Sequence, residues 1–436
     1  GLGDVYKRQF YTLPLTERTP DGIKDCTASS LMALPDGDVI GGCIGELVWI
    51  HDKKIVRRTP LPSPSPVTAM YNKGGGKILL GLYEDGLREY DLSTGRSVDI
   101  PMPGRRMTVL IICPDGNGNY LIGTDQGLCR LKDGKVIQME DLPNPVMHLT
   151  INAITPDKEG RIWVGTYGTG VFIFDRAFNF IKYLTSAGDI ISNAIKDIYC
   201  DSRGWMWIAG QDGLSCVTQP NDFSGIKNYT YDNGLEDVHI RAISEDLWGN
   251  VWFSTNNGLG RWNKRTSKIE NYDYHQGVPR NSFVDHSVAM STNGEMYFSS
   301  LYSLCVFDPR DVDVNLPPVP VKITEISVPG KVDERVDILP VPDGQVKLGY
   351  DRNSFTVHFT VDDFAQSHLV EYAYQMIGLG DEWITVRNDN EVSFRYLQPG
   401  KYVFNVRARL SNQNWEESSV SVSYTHLRAH ETVLDL

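Results

Sequence analysis

Several features that would point directly to a function are missing from this chain of 436 residues. No apolar run approaches the roughly 20 residues that a membrane helix needs, so no spanning helix is expected within it. The metalloprotease pattern HExxH, the hydrolase pattern GxSxG and a phosphate-binding loop are all absent. No CxxC pair and no Cys/His spacing suggests zinc. We therefore expect no metal and no cofactor.

Positive charge is also in short supply. Lys and Arg total 42 against 55 Asp and Glu, which gives a net charge of −13, and the cations form no basic stripe. This balance disfavours nucleic acid as a partner, and it disfavours an acidic membrane surface. A local basic pocket for an anionic ligand remains open, with Arg241 and Arg280 among its candidates.

The seven cysteines fit packing better than chemistry. Cys113 and Cys200 close the first strand of two sequence repeats, and Cys129, Cys216 and Cys305 lie in third strands. First and third strands of one sheet are separated by about 9–10 Å, beyond the roughly 7 Å between Cα atoms that a disulfide tolerates. We expect these thiols to be unpaired.

A short phrase returns throughout the first three quarters of the chain. Its most complete copies are Asp157–Thr166, Asp201–Ala209 and Asp246–Thr255, each with a tryptophan two residues before a small residue. Aligned on that small residue, seven copies have anchors at positions 41, 81, 123, 165, 209, 254 and 299. A period of 40 to 45 residues indicates a β-propeller or a solenoid.

The pattern inside one repeat favours the propeller. Four short apolar runs separated by turn residues predict one four-stranded antiparallel blade; in the clearest copy they are Ile151–Thr155, Ile162–Thr166, Val171–Asp175 and Phe180–Leu184. Helical periodicity is missing, so helical solenoids are disfavoured. We predict a seven-bladed β-propeller over residues 10–315. The last repeat shows only about three strands, and we expect Phe10–Leu15 to supply its missing outer strand.

A second unit follows a proline-rich stretch, Leu316–Pro320. From there six alternating runs predict a β-sandwich of the immunoglobulin or fibronectin type over residues 316–423. The predicted fold class is therefore all-β, a seven-bladed propeller followed by this sandwich. Residues 1–9 and 424–436 resemble translated adaptor sequence and are treated as non-native tails, so we expect an internal piece of a longer protein.

Two resemblances converge on these units. The stretch from Tyr231–Leu235 through Ile243–Leu259 resembles the two-component regulator propeller repeat. The segment 320–423 resembles the Y_Y_Y domain that follows such propellers. The residues that carry this second likeness are Tyr372, Tyr374, Gly378, Trp383, Tyr396, Pro399, Gly400, Tyr402, Phe404, Ala408, Asn414 and Trp415.

The resemblance implies the sensor region of a hybrid two-component protein of Bacteroidetes-type bacteria. In that family the propellers and the sandwich lie in the periplasm, on an inner-membrane protein that detects oligosaccharides released from glycans. The membrane helix, histidine kinase, receiver and DNA-binding domain would lie outside this chain. The partners expected are an oligosaccharide and a second copy of the chain, bound through the sandwich and membrane-proximal region. The membrane would be reached only through a later helix.

Ligand contacts are predicted on the face formed by second-to-third-strand loops and by connections between blades, because rigid scaffolds carry function on variable loops. Aromatic, amide and charged groups suit a sugar. The candidates are Tyr83, Tyr167, Gln211, Asn256, Asn257, Tyr302, His239, Arg241, Arg280 and Asn281.

Trp163, Trp207 and Trp252 recur at one strand position, which indicates packing rather than sugar stacking.

Two other functions remain open from the sequence. A propeller can also serve as a protein-interaction scaffold, which would lack a ligand-binding mouth. A lyase or glycosidase is the less favoured alternative, since the acidic residues single out no catalytic pair. No catalytic residue is predicted.

Overall fold

A computed structural model describes residues 10–19, 22–140, 142, 148–274, 276–312, 321–329, 336–339, 345–348, 353–361, 370–387, 389–410, 415 and 419–426. The expected tail at 1–9, the predicted boundary at 315/316 and the end of the chain from residue 427 lie outside these residues. The chain divides into two compact units, Gly1–Asp313 and Val314–Leu436.

The first unit contains seven four-stranded antiparallel sheets, which confirms the predicted propeller. Three strands precede the first complete sheet: β1 (Tyr11–Pro14), β2 (Glu17–Thr19) and β3 (Gly22–Lys24). Blade 1 consists of β4 (Ser30–Ala33), β5 (Val39–Gly42), β6 (Glu46–His51) and β7 (Lys54–Pro60). Blade 2 consists of β8 (Val67–Gly74), β9 (Lys77–Leu82), β10 (Gly86–Asp91) and β11 (Ser97–Ile100). Blade 3 consists of β12 (Val109–Pro114), β13 (Tyr120–Thr124), β14 (Gly127–Lys132) and β15 (Lys135–Gln138).

The remaining blades follow the same order. Blade 4 consists of β16 (Ile151–Pro156), β17 (Ile162–Thr166), β18 (Gly170–Phe174) and β19 (Phe180–Leu184). Blade 5 consists of β20 (Ile195–Cys200), β21 (Met206–Gly210), β22 (Leu214–Gln219) and β23 (Ser224–Tyr229). Blade 6 consists of β24 (Ala242–Glu245), β25 (Val251–Ser254), β26 (Leu259–Asn263) and β27 (Lys268–Tyr272), after a 3-10 turn at Tyr231–Asn233. Blade 7 has β28 (Phe283–Met290), β29 (Met296–Ser300) and β30 (Ser303–Phe307) from its own repeat, and helix α1 (Pro309–Val312) follows.

The N-terminal strand completes blade 7, as the sequence predicted. Strand β1 pairs antiparallel with β30, with Tyr11 opposite Val306 and Pro14 opposite Ser303. Beside this strand Phe10 is fully buried, and its ring lies 4.8 Å from that of Phe307 and 5.3 Å from that of Tyr272. The two ends of the propeller are thereby joined in one sheet, and β30 has no exposed edge on this side.

First strands of neighbouring blades contact one another in a closed circle, from β4 through β8, β12, β16, β20, β24 and β28 back to β4. A buried apolar cluster fills each interface between neighbouring blades. The small anchor residues lie in the second strands and permit this approach. A Cβ at Gly123 would lie 2.4 Å from a methyl carbon of Ile111 and 2.9 Å from the carbonyl oxygen of Ile151 in blade 4.

The recurring Asp turn has one geometry in three blades. In blade 4, Asp157 Oδ1 accepts the backbone N–H groups of Glu159 and Arg161, while Oδ2 accepts the indole N–H of Trp163 at 3.0 Å. The indole groups of Trp207 and Trp252 donate in the same way, to Asp201 and Asp246 respectively. All three tryptophans are fully buried, which confirms that they serve packing.

The second unit is a sandwich of two sheets. Its strands are β31 (Val321–Pro329), β32 (Val336–Leu339), β33 (Gln345–Leu348), β34 (Phe355–Val361), β35 (Val370–Ile377), β36 (Ile384–Arg387), β37 (Glu391–Phe394), β38 (Gly400–Leu410) and β39 (Ser419–His426). One sheet has the order β32-β31-β34-β37 and the other β33-β39-β38-β35-β36. The six predicted strands are all present. The last one continues to His426, three residues beyond the expected boundary at 423.

The core of this unit alternates along its strands, as expected for a sandwich. In β34 the side chains of Phe355, Val357, Phe359 and Val361 are buried, and the residues between them are half-buried. Phe359 lies 5.0 Å from Tyr372 and 6.3 Å from Phe404 between ring centres. Tyr372 and Phe404 thus belong to the core of this unit.

Candidate functional site

One face of the propeller carries the loops that the sequence singled out. We call it the loop face, and it consists of the loops between second and third strands and of the connections between blades. Six predicted residues lie in loops of the first type: Tyr83, Tyr167, Gln211, Asn256, Asn257 and Tyr302. The other predicted residues lie in connections between blades: His239, Arg241, Arg280 and Asn281.

One repeat position on the loop face lies at the start of the innermost strand, thirteen residues before each small anchor. Its occupants are Ala28, Thr68, Leu110, Asn152, Lys196, Arg241 and His286, and we call them the mouth ring. In blades 2 to 5 this residue is a β-bulge, because strand register shifts at Thr68, Leu110, Asn152 and Lys196. Bulges re-aim side chains and occur beside functional sites.

The mouth ring is neutral in blades 1 to 4 and ionisable in blades 5 to 7. Two of the four neutral side chains bond to the next blade: Thr68 donates to the carbonyl of Val109 at 2.6 Å, and Asn152 donates to the carbonyl of Ile195 at 2.9 Å. These contacts are structural. The chemistry of the ring is therefore concentrated in Lys196, Arg241 and His286.

Lys196 and Arg241 converge on one carboxylate. Lys196 Nζ lies 2.9 Å from Asp285 Oδ2, so this ion pair reaches from blade 5 to blade 7. Arg241 Nη1 lies 2.8 Å from Asp285 Oδ1, while its Nε and Nη2 donate to Asn256 Oδ1 at 2.9 and 2.7 Å. The ammonium of Lys196 also lies 5.1 Å from the ring centre of Tyr167. Three predicted residues, Tyr167, Arg241 and Asn256, thus meet in one network.

The carboxylate in this network is held ionised. Burial alone would raise the pKa of Asp285, but the hydrogen bond from Arg241 and the nearby ammonium of Lys196 outweigh it and lower that pKa below its ordinary value. The network is therefore charged at neutral pH. Tyr167 beside it is 52% exposed, so its ring is available for stacking.

His286 occupies the mouth ring in blade 7 within an unusual backbone segment. Its φ of 56° lies in the left-handed region, and the register of β28 shifts between Phe283 and Val288. Its Nδ1 lies 3.1 Å from Asp197 Oδ1, and Asp197 Oδ2 accepts the backbone N–H of Ile243 at 2.8 Å. Sparsely populated backbone angles of this kind concentrate at functional sites.

A cavity of about 430 Å³ opens on the same side of the ring, within the loops of blades 5, 6 and 7. It is lined by the predicted residues Asn257 and Arg280, and its other lining residues are Glu236, Asp237, Thr255, Gly258, Leu259, Asn271, Tyr272, Asp273 and Tyr274. The guanidinium of Arg280 lies 4.1 Å from the ring centre of Tyr274. The volume of this cavity is within the range of about 300–1,000 Å³ that small-molecule sites occupy.

The other predicted residues lie outside both groups. Tyr83 and Tyr302 are exposed in blades 2 and 7, and Asn281 donates to the backbone carbonyl of Leu301. Gln211 is exposed beside blade 5. His239 Nδ1 lies 3.1 Å from Asp237 Oδ1, at the edge of the cavity. The polar groups that form the network and line the cavity thus lie over blades 5 to 7 and are not distributed around the whole loop face.

Lys196, Asp197, Asp285 and His286 were missed by the sequence reasoning as site residues. A signal for two of them was present: aligning the repeats thirteen residues before the anchor places Lys196, Arg241 and His286 at one position. Asp285 carries no such signal, because its partners come from other blades. Among the described residues, no group of three or more His, Cys, Asp or Glu side chains is placed to hold a metal ion.

Comparison with known families agrees with this architecture. Residues 146–168 match the model described as two component regulator propeller, and residues 363–427 match the Y_Y_Y domain. The chain thus carries a match to the two component regulator propeller in its first unit and a match to the Y_Y_Y domain in its second. The Y_Y_Y match includes Tyr424–His426 at the end of β39, so these residues belong with the domain in both sequence and structure.

Relatives of this chain are found among solved structures and among curated proteins. The extracellular domain of a protein assigned as a hybrid two component system of B. thetaiotaomicron is 31% identical, with a TM-score of 0.85 over 96% of this chain and 57% of that one. Histidine kinase P4 of Formosa agariphila is 22% identical over 317 residues, which cover 60% of this chain and 23% of that protein. This chain thus spans less than two thirds of either relative.

A third relative shows the fold alone. Virginiamycin B lyase of Staphylococcus aureus aligns with 68% of this chain at 15% identity and a TM-score of 0.57.

No helix in the described part of the chain is both long and apolar enough to cross a membrane.

Proposed function

We propose that this chain is the extracytoplasmic ligand-sensing region of a hybrid histidine kinase, located in the periplasm, and that it binds oligosaccharides derived from glycans. The relatedness to an extracellular domain of a hybrid two component system supports the sensor role. The ligand is proposed from the loop face. The observation that carries this part is the exposed ring of Tyr167 beside the network of Lys196, Asp285, Arg241 and Asn256.

The chemistry of the network suits a polyhydroxylated ligand. An exposed aromatic ring can stack on the apolar face of a sugar ring. The side chains beside it combine guanidinium, ammonium, amide and carboxylate groups, so hydroxyl groups find both donors and acceptors. Because Asp285 already balances part of the cationic charge, a ligand is not required to be anionic.

A non-catalytic role fits this arrangement better than a lyase or glycosidase. Likeness to virginiamycin B lyase concerns the fold, at 15% identity. The carboxylates at the mouth, Asp197 and Asp285, each hold a positively charged or hydrogen-bonding partner from another blade. A glycosidase needs an acid and a base presented to one substrate bond, whereas these groups are engaged in contacts between blades.

Signal relay is proposed to run through the sandwich of a homodimer toward a membrane-anchored kinase. Ligand binding can shift such an equilibrium only through its different affinity for the two arrangements. The relay idea would be wrong if a full-length relative still responded to its glycan after an unrelated flexible linker had replaced the Y_Y_Y domain.

The binding proposal is tested by calorimetric titration of the chain against neutral and acidic oligosaccharides. For the class that binds, Tyr167→Ala is expected to weaken affinity about tenfold or more, because a stacking platform is lost. Asn256→Ala should weaken it as well, since Arg241 loses its amide partner. Tyr83→Ala is the matched control, because this equally exposed tyrosine (50% against 52%) lies over the neutral part of the ring.

Three outcomes would contradict the proposal or a part of it. No heat with any oligosaccharide, while circular dichroism shows a folded chain, favours the scaffold alternative. Turnover of a sugar during the titration would show that the non-catalytic assignment is wrong. If Tyr83→Ala weakened binding as much as Tyr167→Ala, the site would lie elsewhere on the loop face.

A further inference from the structure

One residue that lines the cavity at blade 6, Asp237, has an unsatisfied buried carboxylate oxygen. Asp237 lines this cavity and is 7% exposed. Its Oδ1 accepts the backbone N–H of His239 at 2.9 Å and faces the ring Nδ1 of the same residue at 3.1 Å. Its Oδ2 is buried and has no hydrogen-bond partner among the described residues. Buried polar atoms are nearly always paired, so such an exception calls for an explanation.

A ligand donor is the explanation that the surroundings favour. The loop that carries Asp237 is fixed locally, because the backbone N–H of Ile240 donates to the carbonyl of Gly210 at 3.1 Å. The neighbouring amide of Asn271 is engaged with the carbonyl of Gly234 and with the backbone N–H of Glu236. The loop is thus held beside the cavity that Asp237 lines, and a hydroxyl group bound in this cavity is a candidate donor to the orphan oxygen.

The charge of the lining restricts which ligand can enter. Among the described residues that line the cavity, carboxylates outnumber guanidinium groups: there are three of the former, on Glu236, Asp237 and Asp273, and one of the latter, on Arg280. This guanidinium already lies over the ring of Tyr274. A carboxylate or sulfate group on a ligand would therefore meet an excess of like charge in a partly desolvated site, where charge repulsion is strong. Uncharged hydroxyl groups meet no such repulsion.

We propose that this cavity is a subsite for an uncharged sugar unit, that a hydroxyl group of this unit donates to Asp237 Oδ2, and that acidic sugar units are excluded. This inference rests on the proposed function, since it specifies the ligand class of the same face. Asp237 is then the residue that selects neutral over acidic glycans. Arg280 and Tyr274 form the rim of the subsite, and Asn257 is available to a second hydroxyl group.

The test uses matched pairs of ligands on the whole chain. Neutral gluco-, galacto- and manno-disaccharides are titrated beside the same disaccharides oxidised at C6 to uronates. A neutral member is expected to bind about tenfold or more tightly than its uronate. Monodeoxy analogues of that neutral disaccharide should include one whose affinity is about tenfold lower, because the donor to Asp237 Oδ2 is missing. This arm needs no change in the protein.

A pair of variants tests the residue itself. Asp237→Asn keeps the shape of the side chain and removes its charge. We expect this variant to bind the neutral ligand about tenfold more weakly, and we expect a smaller difference in affinity between the neutral ligand and its uronate. Asp232→Asn is the control: it makes the same chemical change at an exposed carboxylate that does not line the cavity, and its affinity for the neutral ligand should stay within about threefold of the unaltered chain. Thermal unfolding of each variant shows whether it is folded.

The outcomes separate this inference from the proposed function. Preference for the uronate or for an amino sugar, or unchanged affinity and selectivity in folded Asp237→Asn, overturns the inference and leaves a glycan sensor in place. If no disaccharide and no longer oligosaccharide gives binding heat, both the inference and the proposed function are overturned.

Discussion

A single carboxylate organises each of the recurring turns that first marked this chain as a repeat protein. Asp201 illustrates its several tasks. Its Oδ1 accepts two backbone N–H groups of the turn, and its Oδ2 accepts the indole N–H of Trp207 and the guanidinium of Arg203. Its side chain is fully buried. The repeat keeps Asp, Gly and Trp together because one aspartate satisfies donors of both the turn and the core.

Replacing this aspartate should therefore be costly. Asp201→Ala leaves the indole of Trp207 and the guanidinium of Arg203 without their acceptor, and we expect unfolding free energy to fall by about 3–5 kcal/mol. Urea unfolding followed by tryptophan fluorescence measures it. Asp222→Ala is the control, because that carboxylate caps an exposed loop and its removal should hardly move the midpoint. If the two changes lowered the unfolding free energy equally, the buried turn carboxylate would contribute no more to stability than the exposed one.

At the scale of elements, closure of the ring depends on a short segment. Strand β1 supplies only Tyr11–Pro14, yet it is the outermost strand of blade 7, and Phe10 beside it packs among Trp252, Tyr272 and Phe307. The segment thus connects the buried clusters of blades 6 and 7 while it covers the edge of β30.

Truncating this one ring should destabilise the whole propeller. Phe10→Ala is expected to lower the unfolding free energy by about 3–5 kcal/mol, as for other buried phenylalanines. Phe180→Ala is the matched control; its ring is half exposed on the outermost strand of blade 4, so its loss should be clearly smaller. The comparison is made by denaturant unfolding, and size-exclusion chromatography checks for association through an uncovered β30. If Phe10→Ala cost no more than Phe180→Ala, closure by this segment would be of little importance.

The elements show which information is local in the sequence. Blade strands follow from alternating runs and turn residues, and the closing strand follows from the incomplete last repeat. Three sandwich strands were not predicted, Val336–Leu339, Gln345–Leu348 and Ile384–Arg387, and each is only four residues long. One of them pairs in parallel with β39, far along the chain, and such pairing leaves no local turn signal.

The candidate site was less predictable for the same reason. Loop position placed Tyr167, Arg241 and Asn256 on one face, and the structure joins them. Asp285, which binds both Lys196 and Arg241, is 89 residues away from Lys196, and the bulge that presents Lys196 depends on strand register. The orphan oxygen of Asp237 is a property of packing in three dimensions, which residue types alone do not reveal.

At the scale of the whole molecule, the seven blades are alike in backbone and unlike in chemistry. The mouth ring is Ala, Thr, Leu and Asn over blades 1 to 4 but Lys, Arg and His over blades 5 to 7. The cavity lies on this second part as well. Repetition supplies a stiff closed ring, and three of its blades carry the groups that can recognise a ligand.

The net charge of −13 leads to a further expectation about recognition by this ring. A neutral sugar forms no ion pair with the protein, so its affinity should change less than about twofold between roughly 20 and 500 mM NaCl, although charge screening lengths fall severalfold over this range. An acidic sugar that binds weakly should instead bind better at high salt, because screening reduces its repulsion by the anionic surface and by Glu236 and Asp273. Calorimetry at both salt concentrations measures the two trends. A steep loss of neutral-sugar affinity with salt would contradict this account, because it would show that binding depends on electrostatic attraction, for which the carboxylate-rich cavity provides no basis.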